Sequence, residues 1–169
     1  MKIIHTKTVG KKRIGPFWSL SKPNQHWPLT QASLTQKIKK KVKHFSVELV
    51  HQKKVFLQIA GSSKIECYWQ RQVVLWGDGQ ALVEATTHIK AVNCKKNWPF
   101  FDGLGSKSLG SQLFIDPKIV KVAMRPVSSR HLHAHRLSTF QDISRYSCFQ
   151  RGNARLDLIE TFLPAIYQL

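Results

Sequence analysis

The chain has 169 residues, which suits one domain or a domain with an appendage and is long enough for a sizeable core. Its 27 Lys and Arg against 9 Asp and Glu give a net charge of +18, which favours anionic partners: nucleic acid, anionic lipid headgroups or a multiply charged small acid. No run approaches the roughly 20 apolar residues of a membrane span, and the N-terminus lacks the apolar core of a secretory signal. Cys67, Cys94 and Cys148 are odd in number and have no CxxC spacing. They argue against a disulfide framework or a zinc finger, so a reducing compartment, the cytoplasm, is expected.

Residues 1–26 are an irregular basic lead-in with no sustained period; it would pack through Phe17 and Trp18, followed by Trp27. In "ASLTQKIKKKVKHF", Ser33 is a good N-cap, and Leu34, Ile38 and Val42 recur every four residues. The spacing predicts a short amphipathic helix with a lysine-rich outer face. "FSVELVHQKKVFLQIA" reads as two strands around the polar "HQKK". "IECYWQRQVVLWGDGQALVEATTHI" is the strongest hairpin signal, two β-rich runs flanking "GDG". "FFDGLGSKSLGSQLF" reads as a loop entering a short helical turn, and its glycines lack the spacing of a phosphate-binding fingerprint.

"KIVKVAM" is a further strand, and "ISRYSCFQRGNARLDLIETFLP" a final hairpin turning at Gly152-Asn153. About six strands joined mostly by hairpins, with few helices, predict an α+β fold. It would hold one mostly antiparallel sheet with helices packed on one face.

Two strands carry a charge on an otherwise apolar face. With the alternation of a strand, Leu156, Leu158, Glu160 and Phe162 share one side of "ARLDLIETFLP". In "ECYWQRQVVLW" the same period groups Cys67, Trp69, Arg71, Val73 and Leu75. Burying a lone carboxylate costs several kcal/mol unless it is paired or protonated. A buried Arg71–Glu160 ion pair satisfies both charges, as do two local pairs with other partners. The functional alternative is a pocket in which Arg71 clamps a ligand carboxylate and Glu160 meets a polar group at the far end.

Other signals are weaker. His131, His133 and His135 in "RHLHAHR" would share a strand face at a spacing that suits a metal, yet no Cys or carboxylate stands beside them. A surface loop accounts for them better than a metal site does. The basic run "KIKKKVKH" is not interleaved with the five tryptophans, which disfavours a nucleic-acid site.

Four segments, "WPLTQASLTQKIKK", "CYWQRQVVLWGDGQAL", "LGSKSLGSQLF" and "LIETFLP", resemble in order and spacing those of the chorismate lyase family. The resemblance runs from residue 27 to the end, so residues 27–169 are expected to form the chorismate lyase-like domain. It implies an enclosed site, chorismate as the small-molecule substrate, and a cofactor-free reaction with no metal. That reaction yields pyruvate and 4-hydroxybenzoate, the precursor of ubiquinone. It matches Arg71 to the arginine that holds the ring carboxylate and Glu160 to the glutamate beside the ring 4-hydroxyl. Leu34 and Leu109 correspond to residues that contribute to ligand binding. One departure stands out: family members often carry an Arg-Thr pair after the "DG" turn, and here Thr86 takes the place of that arginine. Two further readings stand beside this one, a non-catalytic acid-binding module of the same fold and a basic nucleic-acid binder.

Overall fold

The computed structural model describes residues 27, 28, 30, 32–58, 63–128 and 143–169. The expected lead-in at 1–26 and His131, His133 and His135 lie outside them. The fold is α+β. Six strands form one antiparallel sheet: β1 (Phe45–Gln58), β2 (Ile65–Gly77), β3 (Gln80–Lys90), β4 (Ile119–Ser128), β5 (Ile143–Arg151) and β6 (Ala154–Phe162). They lie in the order β1-β2-β3-β6-β5-β4. Three short helices accompany them, α1 (Leu34–Lys39) before β1 and α2 (Ala91–Asn97) and α3 (Gly110–Leu113) between β3 and β4, with a terminal 3-10 turn at Pro164–Gln168. No helix among the described residues is long and apolar enough to cross a membrane.

Two hairpins set the sheet. Asp78 and Gly79 both have positive φ, 49° and 79°, the two-residue turn whose twist matches the strands it joins. The Asp78 carboxylate also accepts from the backbone N–H of Lys43 and His44, which ties the end of α1 to the hairpin. Gly152, with φ 57°, turns the β5–β6 hairpin as expected. The stretch "HQKK" does not break β1 into two strands. It lies within one 14-residue strand paired with β2 along its length, and only Val50 is left over as a bulge. As an edge strand, β1 needs one bonded neighbour, so a solvated polar stretch costs it little.

One face of the sheet carries the core. Val73, Leu75, Val83, Ala85, Ile89, Phe149, Leu156, Leu158 and Phe162 pack there against Leu34 and Ile38 of α1, Trp98, Phe101, Leu104, Leu109 and Leu113. Helix α1 opens at Ser33, whose hydroxyl accepts from the Gln36 N–H, and buries Leu34, Thr35 and Ile38 as its spacing predicts. It is shorter than its apolar period, and Val42 follows it in a turn. Helix α2, which the sequence pattern did not announce, buries Cys94 alone.

The glycine at position 79 is required by its backbone. Replacing Gly79 by Val puts a β-branched residue at φ 79° and should cost about 1–2 kcal/mol. A melting temperature lower by several degrees would register it, and an unchanged one would mean the turn re-forms in another geometry.

Candidate functional site

Register fixes which side chains meet. On the core face, one row across the sheet reads Val73, Ala85, Glu160, Arg145. The next reads Arg71, Thr87, Leu158, Ser147, Met124. Arg71 and Glu160 thus share a face, two strands and one row apart. Two strand spacings and a two-residue step place their Cα atoms roughly 12 Å from each other. Between and beside them stand small residues, Ala85, Thr87 and Ser147, and over them a cavity opens. Its volume is about 40 Å³, on a scale where one water needs roughly 10–15 Å³. Leu34, Arg71, Leu109 and Glu160 all line it.

Arg71 is 1% exposed, and its charge pairs with no carboxylate among the described residues. One terminal nitrogen donates to the carbonyls of Gly105 and Lys107, both at 2.9 Å. Nε of the same guanidinium is buried with no partner. Burial pulls the Arg71 pKa down to about 10, so the side chain is still a cation at neutral pH. The carbonyls it holds belong to the loop that roofs the cavity. Ser108 of that loop shares a 2.6 Å hydrogen bond with Thr35 of α1, which pins it from the other side. Gly110 lies where a Cβ would come within 3.3 Å of the Ser33 and Thr35 hydroxyls, so the small residue lets loop and helix approach.

Glu160 is paired with Arg145, not Arg71. Arg145 donates from Nε at 2.8 Å and from a terminal nitrogen at 2.6 Å, both to Oε2. Its other terminal nitrogen donates to the Thr30 carbonyl at 2.7 Å. The alternation of "ISRYSCFQ" does not single out this arginine, because both faces mix polar and apolar residues. The signal was the hairpin itself: a two-residue turn at Gly152-Asn153 brings position 145 opposite 160.

Lys121 was missed as well. β4 carries an extra residue, Val122, so pairing runs from Lys121–Phe149 directly to Ala123–Cys148. The bulge keeps Lys121 on the cavity face, the usual effect of an inserted residue on side-chain direction. Its Nζ lies over the rings of Phe114 and Phe149, at 5.2 and 5.8 Å. Burial lowers its pKa and Arg145 lowers it further, while Glu160 acts the other way.

A bulge also decides the departure at Thr86. An unbroken hairpin from Asp78-Gly79 would set Arg71 against Thr86. The extra residue Leu82 shifts the register, so Thr87 faces Arg71 and Thr86 pairs with Gln72. Thr87 is buried in the cavity wall; Thr86 alternates to the opposite face of the sheet. Among the described residues no group of His, Cys, Asp and Glu could hold a metal ion.

Losing Arg145 would strand a buried carboxylate. Arg145→Met should cost about 3–5 kcal/mol in denaturant unfolding, and Arg145→Met with Glu160→Gln clearly less. Equal losses in the single and double variants would show that the pair does not act as a unit.

The chain matches the family model described as Chorismate lyase over residues 15–169. It is 28% identical to "Probable chorismate pyruvate-lyase" of Cupriavidus pinatubonensis, covering 88% of this chain and 85% of that protein. It is 30% identical to the protein of the same name from Aromatoleum aromaticum, covering 85% of each. Among solved structures it is similar to the effector domain of PhnF from Mycobacterium smegmatis. The TM-score is 0.52 with 17% identity, covering 82% of this chain and 92% of that one, a likeness of fold alone. With the match spanning nearly all of its length, the chain belongs to the chorismate lyase family.

Proposed function

We propose that this protein removes pyruvate from chorismate and leaves 4-hydroxybenzoate, a precursor of ubiquinone. The observation that carries the reading is Arg71, a buried cation whose Nε has no partner and which lines a cavity with both apolar and charged walls. A guanidinium so placed suits the ring carboxylate, which it can grip in a planar, charge-assisted geometry. Glu160 stands across the cavity with Oε2 held by Arg145, so Oε1 is the oxygen that can accept from the ring 4-hydroxyl. Leu34 and Leu109 supply walls of the slot and ligand contact.

The chemistry asks little of the protein beyond placement. The C3–O bond breaks, the C4 proton leaves, and its electron pair closes the C3–C4 double bond that completes the aromatic ring. The departing enolpyruvate takes up a proton at its methylene carbon. Aromatisation supplies the driving force, so the protein's share is to hold the ring and side arm in a reactive geometry and keep water out. Residues Arg71 and Glu160 at opposite ends of a roofed slot do that without a cofactor. A strongly basic surface speeds the arrival of a dianionic substrate. Three free cysteines suit a reducing compartment, and we assign the protein to the cytoplasm.

The likeness to an effector domain supports a second reading, a binding module that takes the acid without converting it. Mixing the pure protein with chorismate and following pyruvate separates the two. Release of pyruvate supports the lyase; tight binding without release supports the module. For the lyase, Arg71→Ala should reduce 4-hydroxybenzoate formation to background in a folded protein, and full turnover would remove Arg71 from the site. Glu160→Gln should lower turnover by roughly 10²-fold while product still binds, the scale of a lost proton-handling or orienting group. Unchanged kinetics there would reduce Glu160 to a partner of Arg145.

A further inference from the structure

The Arg71 guanidinium carries donors on Nε and on both terminal nitrogens. One terminal nitrogen donates to the roof, to the carbonyls of Gly105 and Lys107. Nε is buried out of the reach of water and has no partner. Directly opposite Arg71 on β1, and so on the same face of the sheet, stands Gln52. Its carboxamide nitrogen donates to the Phe101 carbonyl at 3.3 Å. Its oxygen, Oε1, is buried out of the reach of water and also has no partner. A donor without an acceptor and an acceptor without a donor thus belong to opposed residues, whose Cβ atoms such a pair sets about 5 Å apart. Each has lost its solvation and gained nothing in return, which is rare in a folded chain and calls for a cause.

A bulge makes this pairing. Leu49 lies opposite Val73, and an unbroken ladder would continue to set His51 against Arg71. The extra residue Val50 brings Gln52 there instead. It turns His51 to the other face, where its Nε2 meets the Gln70 Oε1 at 3.0 Å. A neutral acceptor therefore stands where a titratable ring would have been. A carboxylate at that place would cancel the guanidinium charge, as Glu160 does for Arg145. A carboxamide oxygen answers the donor and leaves the charge whole.

We propose that Gln52 is a positioning residue for Arg71: its carboxamide oxygen takes the Nε–H by rotation of the two side chains, and so fixes the plane of the guanidinium. Water reaches neither atom, so the bond is direct. Gln52 and Arg71 then brace each other while both hold the roof, at Phe101 and at Gly105 and Lys107. With Nε held on one side and one terminal nitrogen on the other, the remaining terminal nitrogen is presented to an incoming carboxylate. The identity of that carboxylate, the ring acid, rests on the lyase reading; the bracing does not.

The test compares wild type with Gln52→Met, which keeps the length and removes the acceptor, and with Gln52→Glu, which keeps the acceptor and adds a charge. Exchange of the Arg71 Nε–H with solvent is followed by NMR, the signal being assigned by its loss in Arg71→Lys. Binding of 4-hydroxybenzoate and of the neutral 4-hydroxybenzamide is titrated in each protein. The Nε–H should be protected in wild type and in Gln52→Glu and should exchange at least about tenfold faster in Gln52→Met. Gln52→Met should weaken 4-hydroxybenzoate by about 3–10-fold and the amide by less than about twofold, since only the acid needs the aligned charge. In an Arg71→Lys background, which has no Nε–H, Gln52→Met should cost no further affinity. Equal exchange in wild type and Gln52→Met, equal weakening of acid and amide, or the same loss in the Arg71→Lys background overturns the assignment. If wild type does not bind 4-hydroxybenzoate, the lyase reading fails, and the exchange comparison still decides the role of Gln52.

Discussion

Everything about the site follows from burying positive charge on an apolar face. A guanidinium that is 1% exposed must have its donors satisfied or a charge to meet. Arg71 gives one nitrogen to two backbone carbonyls, which leaves its Nε unsatisfied and its charge intact. Arg145 takes the opposite course and is neutralised by Glu160. The two arginines therefore do different work. One braces the Glu160 carboxylate, and the other clamps the roof.

The roof and Arg71 are coupled through that clamp. Arg71 holds the loop at Gly105 and Lys107, and the next residue, Ser108, is bonded to Thr35 of α1. Leu34 and Leu109, adjacent to those two hydroxyls, are thereby brought to the same wall from segments 75 residues apart in the chain. The floor is made of small residues, and the packed core surrounds it on the same face. The aromatic acid proposed as ligand suits such a slot, because its faces are apolar and its polar groups sit at the ends.

Irregularities in the sheet decide more than its regular parts. The bulge at Leu82 moves Thr86 to the opposite face and presents Thr87 to Arg71, and the bulge at Val122 directs Lys121 inward. In a flawless ladder both side chains would have the opposite orientation, since a shift of one residue exchanges the two faces of a strand. The place of position 86 in the chain therefore tells little about this cavity, which the far edge strand also lines through Lys121.

Period-2 alternation and turn chemistry were enough to read the sheet, both hairpins, the helix opening at Ser33, and the two apolar faces bearing Arg71 and Glu160, because these are local properties of the chain. The polar run "HQKK" misled, since a solvated edge strand tolerates what a central strand would not. The partner of each charge was not local. Glu160 could have been matched to Arg145 by counting back from Gly152-Asn153, but whether it met Arg145 or Arg71 depended on the order β2-β3-β6-β5, which places an intervening strand between Arg71 and Glu160. Bulges leave no mark in composition or period, so the places of Lys121 and Thr86 were settled only when the strands paired. The sequence by itself determined which strands carry buried charge; the tertiary structure decided which charges meet, because cancellation requires contact and contact is set by register.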